Sequence, residues 1–365
     1  MQYSTFAAID IGSYDVILEI FEISKKQGIR SVDKICHRME LGKDTYTLGK
    51  IRPEMEEELC RVLADFVRIM EGYRVDDYRA AASSAISEAS NSLYVLGKIH
   101  QLTGLSVTVL SNSEQRFLSY KALAAMEDNF NKIIEKGTAI LDLDGGSFQI
   151  SLFDKDALVT TQNIRMGSLR IRERLAGIQS ETEHYEEMVE ELIWNEVSSF
   201  KKMYLKDRKI ENIMLIGDVF TDSVYQNIEE KTTKIISREN FNTWYEKIIR
   251  QSPMELAVKL GIPLENASLM YPSAVIYKCL IDMMGAEHIW IPGVHMTRGI
   301  AYEYAEQMKL LKGGHNFEND ILVASRNIAK RYSTGKDHIK GTTDIALTIF
   351  DSMKKIHGMG ARERL

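Results

Sequence analysis

The chain has 365 residues, 44% of them apolar, which is enough for two domains of ordinary size with a core in each. Its 46 basic residues are outnumbered by 52 acidic ones, a formal net charge of −6, so no general positive field is available for nucleic acid and any anionic ligand must be held by a local site. Cys36, Cys60 and Cys279 are widely spaced with no C-x-x-C, and the opening MQYSTFAAIDIG lacks a basic n-region and a following apolar run, so a reducing cytoplasm is expected rather than secretion or a membrane.

Three strands are expected first, TFAAIDIG, YDVILEIFEIS and IRSVDKICHRMEL, joined as an antiparallel meander by turns at Gly12–Ser13 and Gln27–Gly28. After Pro53 the apolar residues Met55, Leu59, Val62, Leu63, Phe66 and Met70 recur at helical spacing, predicting a helix over about 53–72. A strand DYRAAAS, a helix through ISEASNSLYVLGKIHQL, a strand LSVTVL and a helix from about Glu114 to Glu127 complete a βββαβαβα half. Residues 137–165 then repeat the opening as GTAILDLDG, SFQISLFD and ALVTTQNIRM, placing Asp142 against Asp10, 132 residues earlier. Helical sequence from about Glu181 to Met203, the strand ENIMLIG, helices at about 239–250 and 265–285, the strand HIWIPG and a helix through about Gln307 follow. The expected architecture is a duplicated α/β fold whose two similar domains face each other. Beyond Lys312, FENDILVASRNIAKRY and KDHIKGTTDIALTIFDSMKKIHG read as two further helices.

A carboxylate at a strand end, followed by a Gly/Ser hairpin, suits phosphate chemistry: hairpin amides bind phosphate oxygens while the Asp holds hydrated Mg²⁺ or the attacking water. One such hairpin is most often only a turn, but two at matching positions of a duplicated chain can close on one polyanion. The candidate phosphate contacts are therefore Gly12, Ser13, Gly145, Gly146 and Ser147, with Asp10 and Asp142 as the metal-side carboxylates. Asp142 and Asp144 lie two apart on a strand and share a face, which makes a carboxylate pair geometrically possible. The eight histidines show no H-E-x-x-H spacing, and adjacent Cys36 and His37 face opposite sides of their strand, excluding a nucleophile–base pair there. The basic cluster LKDRK at 205–209 reads as a solvated helix end.

The motifs together resemble the exopolyphosphatase and guanosine-pentaphosphate phosphohydrolase (Ppx/GppA) family, within the superfamily of actin, sugar kinases and heat-shock chaperone ATPases. AAIDIGSYDVILEI resembles its first phosphate motif, AAASSAISEASN its A-T-S-A-x-R-x-A-x-N segment, LSNSEQRFL its L-S-G-x-E-E-A-R-L segment and LDLDGGSFQISLF its second phosphate motif. MGSLRIRE resembles the M-G-x-V-R-L-x-E stretch that follows, with Gly167 and Arg170 at matching positions. The resemblance implies an actin-like (ribonuclease H-like) two-lobe fold and a cleft in which Mg²⁺-assisted water attacks a terminal phosphoryl group of polyphosphate or of pppGpp. It also implies lobes at about 1–130 and 131–311, with a helical segment at 312–365 like the start of an HD-type domain. The chain ends before that domain's L-H-D-I-G signature, so His338 stands without its usual companions. Ile345, Leu347, Ile349 and Phe350 would otherwise be exposed, so the expectation is a piece of a longer protein, a short form whose last helices pack on the second lobe, or a homodimer that covers them.

Several polar positions depart from the family. Its D-I-G-S-N has Tyr14 for Asn, Ser87 stands for an Arg, Asp144 for the first Gly of D-I-G-G-G, and both glutamates implicated in activating water are amides, Gln115 and Gln149. A G-G-T loop is replaced by Gly217, Asp218 and Val219, and Thr297 stands for a late Arg. A carboxamide accepts no proton from water at neutral pH, and positioned general-base catalysis contributes ~10²–10⁴-fold. The catalytic candidates are Asp10, Asp142, Asp144, Gln115 and Gln149, and the expected function is binding of polyphosphate or pppGpp with Mg²⁺ and weak or absent hydrolysis. The alternatives are an active phosphohydrolase using a replacement base, Asp142 with Asp144 or Glu114, or a non-catalytic regulatory or structural module.

Overall fold

The computed structural model describes residues 3–126, 130–176, 185–205, 208–227, 235–311, 315, 317–360 and 364. The first lobe runs β1 (Ser4–Ile11), β2 (Asp15–Ser24), β3 (Gly28–Arg38), α1 (Leu41–Leu48), α2 (Pro53–Gly72), β4 (Asp77–Ala82), a turn of helix α3 (Ser84–Ser87), α4 (Ser92–Thr103) and β5 (Val107–Val109). Helix α5 (Asn112–Met126) and the short α6 (Phe130–Ile134) lead to the second lobe: β6 (Thr138–Leu143), β7 (Phe148–Asp154), β8 (Ala157–Ile164), α7 (Ser168–Leu175) and α8 (Tyr185–Phe200), which ends in a π-helical turn at Lys201–Leu205. There follow β9 (Asn212–Ile216), α9 (Val219–Asn227), β10 (Ile235–Ser237), α10 (Arg238–Ile249), α11 (Pro253–Leu260), α12 (Leu264–Met284), β11 (His288–Trp290) and α13 (Met296–Gln307). Helices α14 (Phe317–Arg331), α15 (Lys336–Ser352) and α16 (Lys354–His357) close the chain.

The duplication is explicit in the sheets. One has the order β3-β2-β1-β4-β5; the other, read as β8-β7-β6-β9-β11, has the same order with β10 added antiparallel at its edge. Asp10 pairs in register with Ile17 and Asp142 with Gln149, so the repeat holds residue by residue at the strand ends. Helices α2 and α4 pack on the outer face of the first sheet, and α8, α10 and α12 on that of the second. Between the sheets lie α5 and α13. Leu118 of α5 joins Phe6, Ala8, Ile300 and Tyr304 against the first sheet, while Tyr120 and Leu123 of α5 join Ile140 and Phe153 against the second. Helix α13, at the end of the span expected to be the second lobe, thus crosses back to β1 and β2. Where α13 meets α5, a β-carbon at Gly299 would overlap the carbonyl of Leu118, so the two helices touch backbone to backbone.

Several elements differ from the sequence expectation. The single helix expected through 86–102 is broken into α3 and α4, with Asn91 in a non-helical conformation just before α4 and its carboxamide tied to another segment, accepting from Ile51 N–H (3.0 Å) and donating to the Ile51 carbonyl (2.8 Å). Helices α1 and α7 carry too short an apolar pattern to be read from periodicity. The expected start of α8 at Glu181 to His184, the end of α5 at Glu127 and part of the LKDRK cluster lie outside the described residues. Helix α14 packs against β8, whereas α15 has no buried residue, with Ile345 62% and Ile349 55% exposed and Leu347 and Phe350 half-buried. Among the described residues no helix is long and apolar enough to cross a membrane.

Candidate functional site

Strand alternation places the site. Phe6, Ala8 and Asp10 share one face of β1, Ile140 and Asp142 one face of β6, and the apolar members of each row pack on the helix layer between the sheets. The two carboxylates therefore emerge at the ends of their strands, above α5, and both line one cavity of about 250 Å³. The first lobe adds Gly12, Tyr14 and Asp15, and its β3 presents Lys34, Cys36 and Arg38 at alternate positions. The second lobe adds Asp144, Asp222 and His295; α5 contributes Gln115 and, one turn on, Ser119.

The Ser119 hydroxyl donates to Asp142 Oδ2 (2.7 Å), and the Gln115 side chain hydrogen-bonds Asp144. Gly145 N–H donates to Asp144 Oδ1 at 2.5 Å. Asp15 pairs with Arg38 Nη1 (3.0 Å) and accepts from the Cys36 thiol (3.6 Å). Asp10 Oδ1 is buried and has no hydrogen-bond partner among the described residues. Five carboxyl groups thus line a cavity that has one lysine and one arginine. A like-charge pair at ~4 Å costs ~4 kcal/mol at an effective dielectric near 20, so the carboxyls resist ionisation. Burial pushes Asp10 well above the ordinary carboxylate range, with Asp15 and Asp144 adding to it. Burial raises Asp142 to about 7, against the Ser119 hydrogen bond, and Asp144 to about 6, against the bonds from Gly145 and Gln115.

These directions have a consequence for the metal-free protein. Groups whose folded pKa lies above the unfolded value stabilise the fold at low pH and lose that contribution as pH rises through the folded value. In EDTA the melting temperature is expected to fall as pH goes from about 4 through about 7, by a contribution on the order of a few kcal/mol in stability. Thermal melts across that range in wild type and Asp142→Asn check it: the variant should show a shallower slope, and identical slopes would contradict the assignment.

The structure brings Asp10, Gly12, Gln115, Asp142 and Asp144 onto one wall. It places Ser13, Gly145, Gly146 and Ser147 instead in the seam where the hairpins meet. Ser13 is fully buried, its hydroxyl 2.7 Å from the Tyr46 hydroxyl, which in turn lies 2.8 Å from Ser84 Oγ. A β-carbon at Gly146 would overlap the Tyr46 hydroxyl, and one at Gly145 would lie 3.1 Å from Ser13 Cβ and Tyr14 Cδ1. Ser147 is buried, its carbonyl accepting from Asp144 N–H (2.9 Å). Two arginines of α7 fasten the seam: Arg170 donates to the Gly146 carbonyl (2.9 Å) and to Glu88 (2.9 Å) with its guanidinium 3.8 Å above the Tyr46 ring, and Arg172 grips Glu40 with both terminal nitrogens (2.7 and 2.8 Å).

The other departures separate cleanly. Gln149 is 3% exposed behind the wall, paired in register with Asp142, and its Oε1 has no partner among the described residues. Asp218 caps α9, accepting at Oδ1 from Phe220 N–H (2.9 Å) and Thr221 N–H (3.3 Å) and at Oδ2 from Ser273. Thr297 is buried and donates to Glu19 (2.5 Å), while Ser87 is exposed. Glu114 accepts from Ser111 N–H (2.9 Å) and Oγ (2.8 Å) at the start of α5 and lines a different surface groove. Cys36 and His37 do face opposite sides: His37 reaches Glu58 of α2 (3.2 Å) while Cys36 faces the cavity. The sequence reading did not single out Lys34, Arg38, Asp15 or Ser119. The alternation Lys34-x-Cys36-x-Arg38 was the available signal for the first two.

The donor set fits a divalent cation. Asp10 Oδ1 is an orphaned buried acceptor, and burial, with the neighbouring carboxyls adding to it, holds the group short of ionisation. Among the described residues no three Asp, Glu, His or Cys side chains converge on one point. Mg²⁺ keeps several waters and takes one or two protein carboxylates, so what the cavity offers it is single carboxylates and not a formed cage.

A sequence model of the Ppx/GppA phosphatase family matches residues 19–308. The chain is 21% identical over 310 residues to a bifunctional 3-dehydroquinate synthase/phosphatase of Fusobacterium nucleatum, covering 78% of this chain and 44% of that protein. It is 25% identical over 144 residues to exopolyphosphatase 1 of Mycobacterium leprae, covering 39% of this chain and 41% of that protein. The chain thus spans less than half the length of these curated relatives. Among solved structures, an exopolyphosphatase from Cytophaga hutchinsonii superposes with a TM-score of 0.75 at 16% identity, covering 83% of this chain and 98% of that one. The Aquifex aeolicus Ppx/GppA family member superposes with a TM-score of 0.68 at 17% identity, covering 84% and 99%. The fold is the two-lobe actin-like α/β fold of those structures, with C-terminal helices.

Proposed function

The chain belongs to the Ppx/GppA phosphatase family, and from that premise we propose that its interlobe cavity binds the terminal phosphates of a phosphoanhydride, polyphosphate or a guanosine alarmone such as pppGpp, with Mg²⁺ and with weak or no hydrolysis. The observation that carries this reading is the meeting of the duplicated carboxylates Asp10 and Asp142 in one cavity that Lys34 and Arg38 also line. Asp10 and Asp142 would hold the cation, which when bound supplies counter-charge to the phosphate oxygens. Lys34 and Arg38 attract and orient the anion. The cavity has about 250 Å³ of space, room for several phosphates.

Weak turnover follows from the wall. Gln115 stands where water would be activated and accepts no proton from it. A second reading, hydrolysis with a replacement base, is favoured by Asp144, which lines the cavity and which burial raises to about 6 in the metal-free protein. Phosphate release from long-chain polyphosphate and from pppGpp with Mg²⁺, at near-stoichiometric protein, tests the proposal. From a median turnover of ~10 s⁻¹, loss of a ~10²–10⁴-fold general-base contribution predicts about 0.1 s⁻¹ or less. Rapid release by the wild type would overturn the weak-turnover reading.

A further inference from the structure

Among the described residues, three basic side chains line the cavity, and two of them, Lys34 and Arg38, come from β3. Arg38 is already engaged by Asp15 (3.0 Å). The third, His295, belongs to another element: it is the residue just before α13, and its Nε2 lies 3.5 Å from Asp222 Oδ1 of α9. Its surroundings keep the ring neutral in the unliganded protein. Burial lowers the pKa of His295 from its ordinary value, Lys34 of β3 and Arg298 of α13 add to that, and Asp222 of α9 and Glu19 of β2 oppose it. The positive end of α13 acts in the same sense as the two cations. Helix α5 presents the uncharged Gln115 and Ser119 to the same cavity, and the strand ends of β1 and β6 present Asp10 and Asp142.

We infer that His295 is a phosphate ligand of this cavity that takes up a proton from solvent as the polyanion enters, so that Lys34 and Arg38 are joined by a third cation only in the complex. This rests on the phosphoanhydride reading above and deepens it by naming a contact and the proton linked to it. A polyanion beside His295 supplies the counter-charge that the empty cavity withholds, and so favours the imidazolium. An imidazolium has two N–H donors; Asp222 can take one, which leaves the other for a phosphate oxygen. A fixed cation at this position would be held against Lys34 and the positive end of α13 in the empty protein, whereas histidine carries no charge there until the ligand arrives. Affinity should therefore fall as pH rises. Below the free-state pKa the ring is charged with or without ligand, between the free and bound values each binding event takes up part of a proton, and above the bound value the charged contact is lost.

Calorimetric titration of the full chain with tripolyphosphate, Mg²⁺ being present beforehand, counts the protons when it is run at one near-neutral pH in buffers of low and high ionisation enthalpy. The wild type should take up a substantial part of ~1 proton more than His295→Gln, a difference in which protons released by tripolyphosphate and by the cavity carboxyls cancel. His295→Gln should bind on the order of 10-fold more weakly than the wild type at pH ~6, as loss of one charge-assisted hydrogen bond predicts, and about as tightly at pH ~8.5. His295→Lys makes the same comparison independently: with its charge fixed it should take up no extra proton, and its affinity should depend less on pH than that of the wild type. Equal proton uptake by the wild type and by a variant that melts cooperatively, or equal weakening of the two as pH rises, overturns the inference and leaves phosphoanhydride binding standing. No binding heat and no thermal shift from tripolyphosphate across this pH range would instead overturn both.

Discussion

Gln115→Glu should raise Mg²⁺-dependent phosphate release from polyphosphate by on the order of 10²–10⁴-fold. The side chain is already in place: it lies one helical turn before Ser119 on α5, lines the cavity and reaches Asp144. Only its chemistry is wrong for taking a proton. A carboxyl there would sit among other carboxyls, and like charges at such distances raise pKa toward the neutral range where a general base works best. Steady-state release beside the wild type checks it, and unchanged release by a variant that still binds polyphosphate would show that the cavity does not align water with the terminal phosphorus. The second amide is a different matter. Gln149 is 3% exposed and paired in register with Asp142, so Gln149→Glu would put an unpaired carboxyl into a buried position without reaching the cavity wall. The gain should come from position 115 alone, and adding the second change should cost stability.

Asp142→Asn should move stability and ligand binding in opposite directions. Burial holds the Asp142 carboxyl at about 7, so at pH 8 the folded metal-free protein carries a charge that burial disfavours. Asparagine keeps an oxygen for the Ser119 hydroxyl and removes that charge. In EDTA at pH 8 the variant should therefore melt several degrees higher than wild type, the sign expected when a group with a raised folded pKa is made neutral. With Mg²⁺ and polyphosphate it should lose most of the ligand-induced rise, and any residual hydrolysis should drop by about 10²-fold or more. A variant destabilised in EDTA would mean that Asp142 serves the fold rather than the cation.

The duplicated fold was legible because its signals are local. Two-residue alternation identifies β1 and β6, a small-residue turn ends each, and the repeat distance aligns Asp10 with Asp142, so the paired carboxylates can be found without coordinates. The closure of the hairpins was not legible. It depends on Tyr46, carried by α1, an eight-residue helix whose sequence LGKDTYTL has little apolar periodicity, and on Ser84 more than 30 residues further on. The same limit hides the depth of Gln149: alternation tells which face a strand residue occupies and not how far it lies from the cavity mouth. Lys34 and Arg38 lie on a strand that pairs with β2 and follows the hairpin by some 20 residues, so their arrival at the site is a consequence of the β2–β3 register. The return of α13 to the first sheet likewise has no local mark, since its apolar residues Ile300, Ala301, Tyr304 and Ala305 meet β1 only in the folded chain.

Calorimetric titration of the full chain with Mg²⁺–tripolyphosphate at about neutral pH, beside Asp142→Asn, measures the central claim without requiring turnover. The account predicts one saturable site in the wild type, removed or greatly weakened in the variant. A wild type that shows no binding heat at any temperature tried, together with no thermal shift, would contradict a phosphoanhydride site between the lobes.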